Sequence, residues 1–590
     1  MITHLLADPK RFALVLFAVL LALAFLYWAF MPRRHVPWFR VATLRTRLRL
    51  RLHPGRGFAC LPELWLAWGR LASFRESRRC RPGLPFWQRA ACPAAHSVFL
   101  GRAQYRHGLR APIQENWTIV GRSRSGKSGW LAKTIIWWRG AAVSATTKTD
   151  LFTLTSGLRA LFGRPVYRFN PQRLGGPDLA TSTIRFDPVP GCQDESVAMR
   201  RGTALTDAVR VQGTEDDGFW NEQASVMMPA LLCAAALGGL DLRAPARWVL
   251  SGDTRDAERI LRAHGRQMWA DTVAQLRGEA TKTGATVRMV LAAALKFMGD
   301  PTLAECVLPG PGGGFDIGEF LLRQGTLYLI ADQRNDVSPV APLFACLVSE
   351  IHWAACQIGS GMRGGRLDPP LLLQLDEVTR ICPIPVPALL ADSGGRGITM
   401  IIACQGLAQL EERWGKAAAR SVLDTSNQLY ISGIQDPDTL DMVSKLCGEA
   451  TYKERGTEGK AAQHPVATPA MIRRLPRRRA LVLRGDAAPV ITHLPMAWHD
   501  WRYRLAKLAG REVAWLLPEP SLAEPAPPGP RMPQFGTWPA ADIEAADSVL
   551  VTDATENRGT PPPPVNGNGN GGGRTNGRSA SRPAHPWDLP

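Results

Sequence analysis

The chain has 590 residues, 45% of them hydrophobic, and carries a formal net charge of +20. That length accommodates two or three domains, and that charge favours a polyanion, nucleic acid or an anionic membrane surface, as partner. Eleven cysteines, with no CxxC and no pairing rhythm, argue against a zinc site or a disulfide framework and for a reducing compartment.

In chain order, the first signal is Phe12 to Met31, twenty residues without a charge. At the rise of an α-helix they match a hydrocarbon core of about 30 Å. Tyr27 and Trp28 sit near one end, where amphipathic rings prefer the interface, and no small-residue cleavage site follows. The run therefore reads as a retained transmembrane anchor within residues 1–34. Lys10 and Arg11 precede it, and Arg33, Arg34, Arg40, Arg45, Arg47, Arg49 and Arg51 follow. The larger positive flank places the C-terminal bulk in the cytoplasm, single-pass at the cell membrane.

Residues 35–96 form an arginine-rich juxtamembrane segment. From Arg33 to Arg110 there are seventeen arginines, no lysine, and only Glu63 and Glu76 as acids. Leu44 to Leu52 alternates arginine with leucine or threonine, which predicts a strand with one charged face. That face suits lipid headgroups or solvent, with a nucleic-acid contact as the alternative. Phe58 to Phe74 contains Glu63 and Arg70 and reads as one amphipathic helix, on the membrane or on the core.

From Trp117 the pattern alternates strand and helix. "WTIV" is a short apolar strand, a glycine loop follows, and "SGWLAKTIIWW" is a helix. "AAVSATTKTDLF" predicts a second strand, with Asp150 capping the next helix; "RPVYRFN" predicts a third. Repeated strand–loop–helix units imply an α/β fold with a mostly parallel sheet and helices on both faces. Between about Gly191 and Leu303 helical spacing takes over, as in "FWNEQASVMMPALLCAAAL", and predicts an inserted all-α domain, residues 191–303. Strands resume with "GTLYLIA", "LLLQLDE", "ITMIIACQ" and "NQLYISG". The nucleotide-binding domain thus comprises residues 97–190 and 304–515. Residues 516–590, rich in proline and glycine, cannot bury enough to fold and read as a disordered tail.

Gly121-x4-Gly126-Lys127-Ser128, between an apolar strand and a helix, is a phosphate cradle of the Walker A pattern. Its glycines let backbone N–H groups of Gly121, Arg122, Ser123, Arg124, Ser125, Gly126, Lys127, Ser128 and Gly129 turn toward phosphates. Lys127 reaches the β- and γ-phosphates of ATP, and Ser128 holds Mg²⁺. A partner must place metal and water. "LLLQLDE" ends in Asp376, a second Mg²⁺ ligand, and Glu377, a general base; the alternative is that both acids only cap the next helix. Gln405 at the end of "ITMIIACQ" reads as a γ-phosphate sensor. Arg396 in "SGGRGI" reads as an arginine finger toward a neighbouring subunit, or as a structural or DNA-facing arginine. Lys127 and Asp376 are 249 positions apart, more than a compact core needs, and the helical block accounts for the excess.

Taken with "FNP" at Phe169, "FDPV" at Phe186, "RGITMIIACQGLAQLEERWG" and "DTLDMVSKLCGEAT", the chain resembles the type IV secretion coupling proteins. These are TraG/TraD-like conjugative DNA-transfer ATPases of the FtsK/HerA-like P-loop group. The resemblance covers roughly Ser97 to Trp501 and looks most like actinobacterial members. It implies a RecA-like P-loop NTPase domain, an N-terminal membrane anchor and a homo-hexameric ring. It implies ATP hydrolysis coupled to delivery of single-stranded DNA with its relaxase, or of protein, to a secretion channel. Implied partners are DNA without sequence preference, the relaxosome, channel components and membrane lipids. Lys127, Ser128, Asp376, Glu377 and Gln405 fall on the family's nucleotide positions, Arg396 less closely. The family's Ser-Pro-Lys is "SATTK" here, so Lys148 carries over weakly. Two alternatives remain: an FtsK-like double-stranded DNA translocase, disfavoured by a tail with no three-helix pattern, and an ATPase that exports only proteins. A non-hydrolysing adaptor is disfavoured by the intact cradle and acids.

Overall fold

The computed structural model describes Leu20 and residues 57–103, 107–209, 217–277, 282–308, 314–332, 337–453, 461–501, 503 and 504. The apolar run 12–31 (Leu20 excepted), the alternating stretch 44–52 and the tail from 516 lie outside the described residues.

The strands in chain order are β1 (Ser97–Ala103), β2 (Gly108–Pro112), β3 (Trp117–Val120), β4 (Ala142–Thr146), β5 (Val166–Phe169) and β6 (Thr326–Ile330). They continue with β7 (Leu371–Asp376), β8 (Ile398–Cys404), β9 (Asn427–Ile431), β10 (Glu449–Lys453), β11 (Ala461–Pro465), β12 (Arg479–Arg484) and β13 (Ala487–His493). Eleven of them form one sheet in the order β2-β1-β13-β12-β9-β3-β8-β7-β4-β6-β5, and β10 pairs with β11. From β9 to β5 every pairing is parallel; from β9 to β2 every pairing is antiparallel.

Every residue of β3, β7 and β8 is buried. That is what a parallel strand covered on both faces requires, and why these runs are mostly apolar rather than alternating, with Thr118, Gln374, Asp376 and Thr399 as their buried polar members. The alternation of side chains sorts them into two cores. Trp117, Ile119, Leu372 and Ile401 join one core with Leu131 and Ile135 of helix Lys127–Trp137 and Phe152 of helix Asp150–Leu161. Val120, Leu373, Met400 and Tyr430 face the other core.

That second core is built from the helical stretch as well. Between β5 and β6 the described residues form helices and no strand, including Glu195–Asp207, Asp217–Leu237, Arg243–Ser251, Arg255–Ala263 and Lys282–Ala294. Leu205, Leu231, Leu261 and Leu291 lie in the same continuous cluster as Leu373 and Met400, so this block is seated on one face of the sheet. Helix Ala341–Ser360 is the helix among the described residues long and apolar enough to cross a bilayer, yet most of it is buried. Its Glu350 accepts from Arg200 Nε at 2.6 Å and Arg201 Nε at 2.9 Å, which ties it to helix Glu195–Asp207.

The helix carrying the cradle is anchored at its far end by a buried cation. Arg159 donates to Trp138 O at 2.7 Å, Ile135 O at 3.3 Å and Thr326 Oγ1 at 2.6 Å. A guanidinium there meets carbonyls of a helix C-terminus, which carry partial negative charge.

Two expectations are corrected, and the sheet is wider than the strands read from the sequence. The sequence reading places sheet strands at β3 to β9; the structure adds β1 and β2 before them and β12 and β13 after them. β12 and β13 form a hairpin across Gly485-Asp486, with Gly485 at φ 47, and a Gly-Asp pair between apolar runs is a turn signal. Asp150 does not occupy the cap position. Thr149 does, and Asp150 is the first helical residue, its carboxylate where the helix dipole favours it. Phe58 to Phe74 is not one helix. Trp68, fully buried, turns inward, and the chain breaks at Gly69 between helices Leu61–Ala67 and Arg70–Cys80.

Candidate active site

The strand order explains how residues so far apart in the chain meet. β8 lies between β3 and β7, and all three run the same way. Val120 pairs with Cys404 and Asp376 with Ala403, so the three strands end level at one carboxyl edge. Two strand spacings, about 10 Å, separate β3 from β7. Ligands of open α/β sheets bind outside such an edge.

The loop after β3 is fastened to β8 by Gly121 N–H donating to Cys404 O at 3.1 Å. Arg124 at φ 63 and Gly126 at φ 106 both lie in the left-handed region. Such geometry points successive N–H groups to one side, a concavity for an anion. Gly126 caps helix Lys127–Trp137 with no side-chain bond to its first turn, which leaves those N–H groups available to a ligand. Arg122, Ser123 and Arg124 are exposed, and Ser128 is half-buried in the first turn.

Lys127, Asp376 and Glu377 form a buried triad. Lys127 Nζ lies 3.2 Å from Glu377 Oε1 and 3.6 Å from Asp376 Oδ1. Gln405 Nε2 donates to Glu377 Oε1 at 3.0 Å. Glu377 stands at φ 53, ψ 47 and occupies the cap position of helix Val378–Ile381, but its side chain makes no bond to that helix. The helix-capping alternative therefore fails for Glu377: its carboxylate faces the cradle. Burial pushes the Asp376 carboxyl up to about 6, with Lys127 opposing that rise. Burial alone would draw Lys127 down, but Asp376 and Glu377 outweigh it and hold the ammonium above its ordinary value. Lys127 is thus charged at neutral pH.

Buried polar atoms are nearly always paired, so those that are not call for an explanation. Here Ser125 Oγ, Asp376 Oδ1, Glu377 Oε2 and Thr379 Oγ1 are buried without a hydrogen-bond partner in the protein. Ser125 lies in the cradle itself, and Asp376 and Glu377 are held beside it by Lys127. A hydroxyl and carboxylate oxygens suit a hard cation such as Mg²⁺, and the amide concavity suits phosphate oxygens. The residues present fit a magnesium-bound triphosphate.

Arg396 is not brought to this cluster. It precedes β8 while Gln405 follows it, so the seven-residue strand, about 20 Å long, separates them. Arg396 is half-exposed and pairs with Asp392. Lys148, just past β4, is exposed; its carbonyl accepts from Thr146 Oγ1 at 3.1 Å. The sequence reading missed Arg478, Met496 and Trp498, which surround the cradle helix. No motif marks them; the turn into β12 brings Arg478 there, and the path of the chain after β13 brings Met496 and Trp498.

Residues 370–477 match a protein family described as the TraM recognition site of TraD and TraG. The chain is 25% identical over 338 residues to the conjugal transfer protein TraG of Rhizobium radiobacter, an overlap of 54% of this chain and 50% of that protein. It is 22% identical over 388 residues to protein VirD4 of the same organism, 63% of this chain and 52% of that protein. The chain thus spans about half the length of these relatives. Among solved structures, the bacterial conjugative coupling protein TrwBdeltaN70 is similar with a TM-score of 0.50 and 19% identity, over 65% of this chain and 86% of that one. That likeness shows a shared fold.

Proposed function

We propose, on the premise that the chain is a relative of the type IV secretion coupling proteins, that it is a membrane-anchored ATPase delivering DNA or protein to a secretion channel. The observation that carries this is the meeting of the Gly121–Gly126 loop, Lys127, Asp376, Glu377 and Gln405 at one sheet edge, with buried oxygens left unpaired.

The backbone N–H groups of the loop and the Lys127 ammonium hold and orient the β- and γ-phosphates of ATP. Ser128 and Asp376 hold Mg²⁺, which when bound neutralises phosphate charge. Glu377 Oε1 is held by Lys127 and Gln405, which leaves Oε2 as the oxygen that takes the proton of the attacking water. Water oxygen bonds to the γ-phosphorus, the bond to the β–γ bridging oxygen breaks, and ADP and phosphate leave. Gln405, bonded to Glu377 at the end of β8, links the occupancy of the site to that strand. Arg396, at the other end of β8, acts on a nucleotide only from a neighbouring copy, as a hexameric ring would allow.

The first described elements after the expected span support membrane attachment. Trp65, Leu66, Leu71, Phe86 and Trp87 are exposed beside exposed Arg70, Arg75, Arg78 and Arg79. Amphipathic rings and arginines together suit an anionic membrane surface. The full chain is expected to stay in the membrane fraction after alkaline carbonate extraction; its release would remove the anchor from this reading.

The cargo reading is tested with nucleic acid. The full chain in detergent hydrolyses ATP faster when single-stranded DNA of arbitrary sequence is added. Its DNA affinity falls steeply with salt, with a log–log slope near −0.7 for each phosphate contacted. A rate indifferent to DNA, with DNA binding flat across salt, would favour the protein-only exporter instead.

A further inference from the structure

The first turn of the cradle helix is roofed by the segment that follows β13. A Cβ on Gly129 would lie 2.5 Å from Met496 Sδ and 2.6 Å from Trp498 Cη2. A Cβ on Gly126 would lie 3.4 Å from Met496 Cε and 3.7 Å from Arg478 Cγ. Glycine at 129 is therefore required by the close approach of an indole and a thioether. Met496 is buried; Trp498 is only half-buried, so its ring meets both the helix and solvent. Lys133 pairs with Asp500 at 3.3 Å and fixes the segment to the same helix.

The strand order gives this roof a direction. Asp376, Glu377 and Gln405 lie on the β8 and β7 side of β3, and they define the γ-phosphate end of the site. Arg478 precedes β12, and Met496 and Trp498 follow β13, on the opposite side of β3. A triphosphate gripped at its γ end near β7 must send its nucleoside the other way, past the first turn of the helix, toward Trp498. The neighbourhood is cationic as well as aromatic. His499 is drawn down by burial and then by the charges of Arg478, Arg504 and Lys133.

We propose that Trp498, backed by Met496 and flanked by Arg478, is the wall on which the base of the bound nucleotide stacks. The inference rests on the nucleotide-binding reading above. Every base presents a π-face, so an indole wall holds the nucleoside without selecting one base by hydrogen bonds. The thioether behind it adds a polarizable contact that adapts to the ring.

The test compares ATP with inorganic tripolyphosphate, each with Mg²⁺, by calorimetric titration of the full chain in detergent. Trp498→Ala is expected to weaken ATP roughly ten- to a hundredfold and to leave tripolyphosphate unchanged. Trp498→Phe, which keeps a ring, is expected to recover most of the ATP affinity. Equal weakening of both ligands by Trp498→Ala, with no recovery by Phe, would mean that the indole only supports the helix and would overturn the wall. ATP binding unchanged in Trp498→Ala would overturn it too. A native chain that binds neither ligand would refute the cradle itself, and the wall with it.

Discussion

Lys127→Ala abolishes ATP turnover, a loss of at least about a thousandfold, while the chain stays folded. The ammonium lies in the first turn of the cradle helix, within 3.2 Å of Glu377 and 3.6 Å of Asp376. A triphosphate entering the loop draws it from the acids onto phosphate oxygens, so its removal takes away both grip and charge stabilisation. The fold survives because the acids have a way to adjust. The Asp376 carboxyl already stands at about 6, and Lys127 is what lowers it. Without the ammonium it rises further, which favours the neutral acid over a buried charge. Glu377 keeps Gln405. Phosphate release checks the activity, and far-ultraviolet circular dichroism checks the fold. Turnover at the native rate would mean that the site lies elsewhere.

The second large effect separates chemistry from binding. Glu377→Gln lowers turnover by roughly 10²- to 10⁴-fold, while ATP affinity stays within about threefold of native. The amide oxygen still accepts from Lys127 and Gln405, which preserves the geometry. What is lost is the ability of the second oxygen, Oε2, to take a proton from water. A variant that binds ATP tightly and hydrolyses it at the native rate would remove Glu377 from the role of base. A variant that loses binding as completely as Lys127→Ala would make it a structural partner of the lysine instead.

Much of the site was legible because its chemistry is local. Gly121, Gly126, Lys127 and Ser128 stand within eight consecutive residues, and the strand before and helix after them are readable from apolar runs and spacing. "LLLQLDE" and "ITMIIACQ" announced themselves in the same way, as buried strands ending in polar residues. Even the distance of Arg396 from the cradle follows from local order: a residue before a strand lies at the opposite end from the residue after it. Other features had no such signal. The break at Trp68 and Gly69 depends on what the indole finds to pack against, not on periodicity. The seating of the helical block on the sheet depends on pairs such as Arg200 and Glu350, 150 positions apart.

The amino-acid order alone thus determined the elements around the site and the chemical groups they carry. These are a glycine loop that frees backbone N–H groups, a lysine, two acids and a glutamine at strand ends, because each depends on neighbours a few residues away. Tertiary structure decided which of these groups share a site. β8 had to enter between β3 and β7 before Lys127 and Glu377 could touch, and the chain had to return past β13 before Trp498 could cover Gly129. Strand order is set by the burial of whole faces against one another, an energy summed over the core and written at no single position.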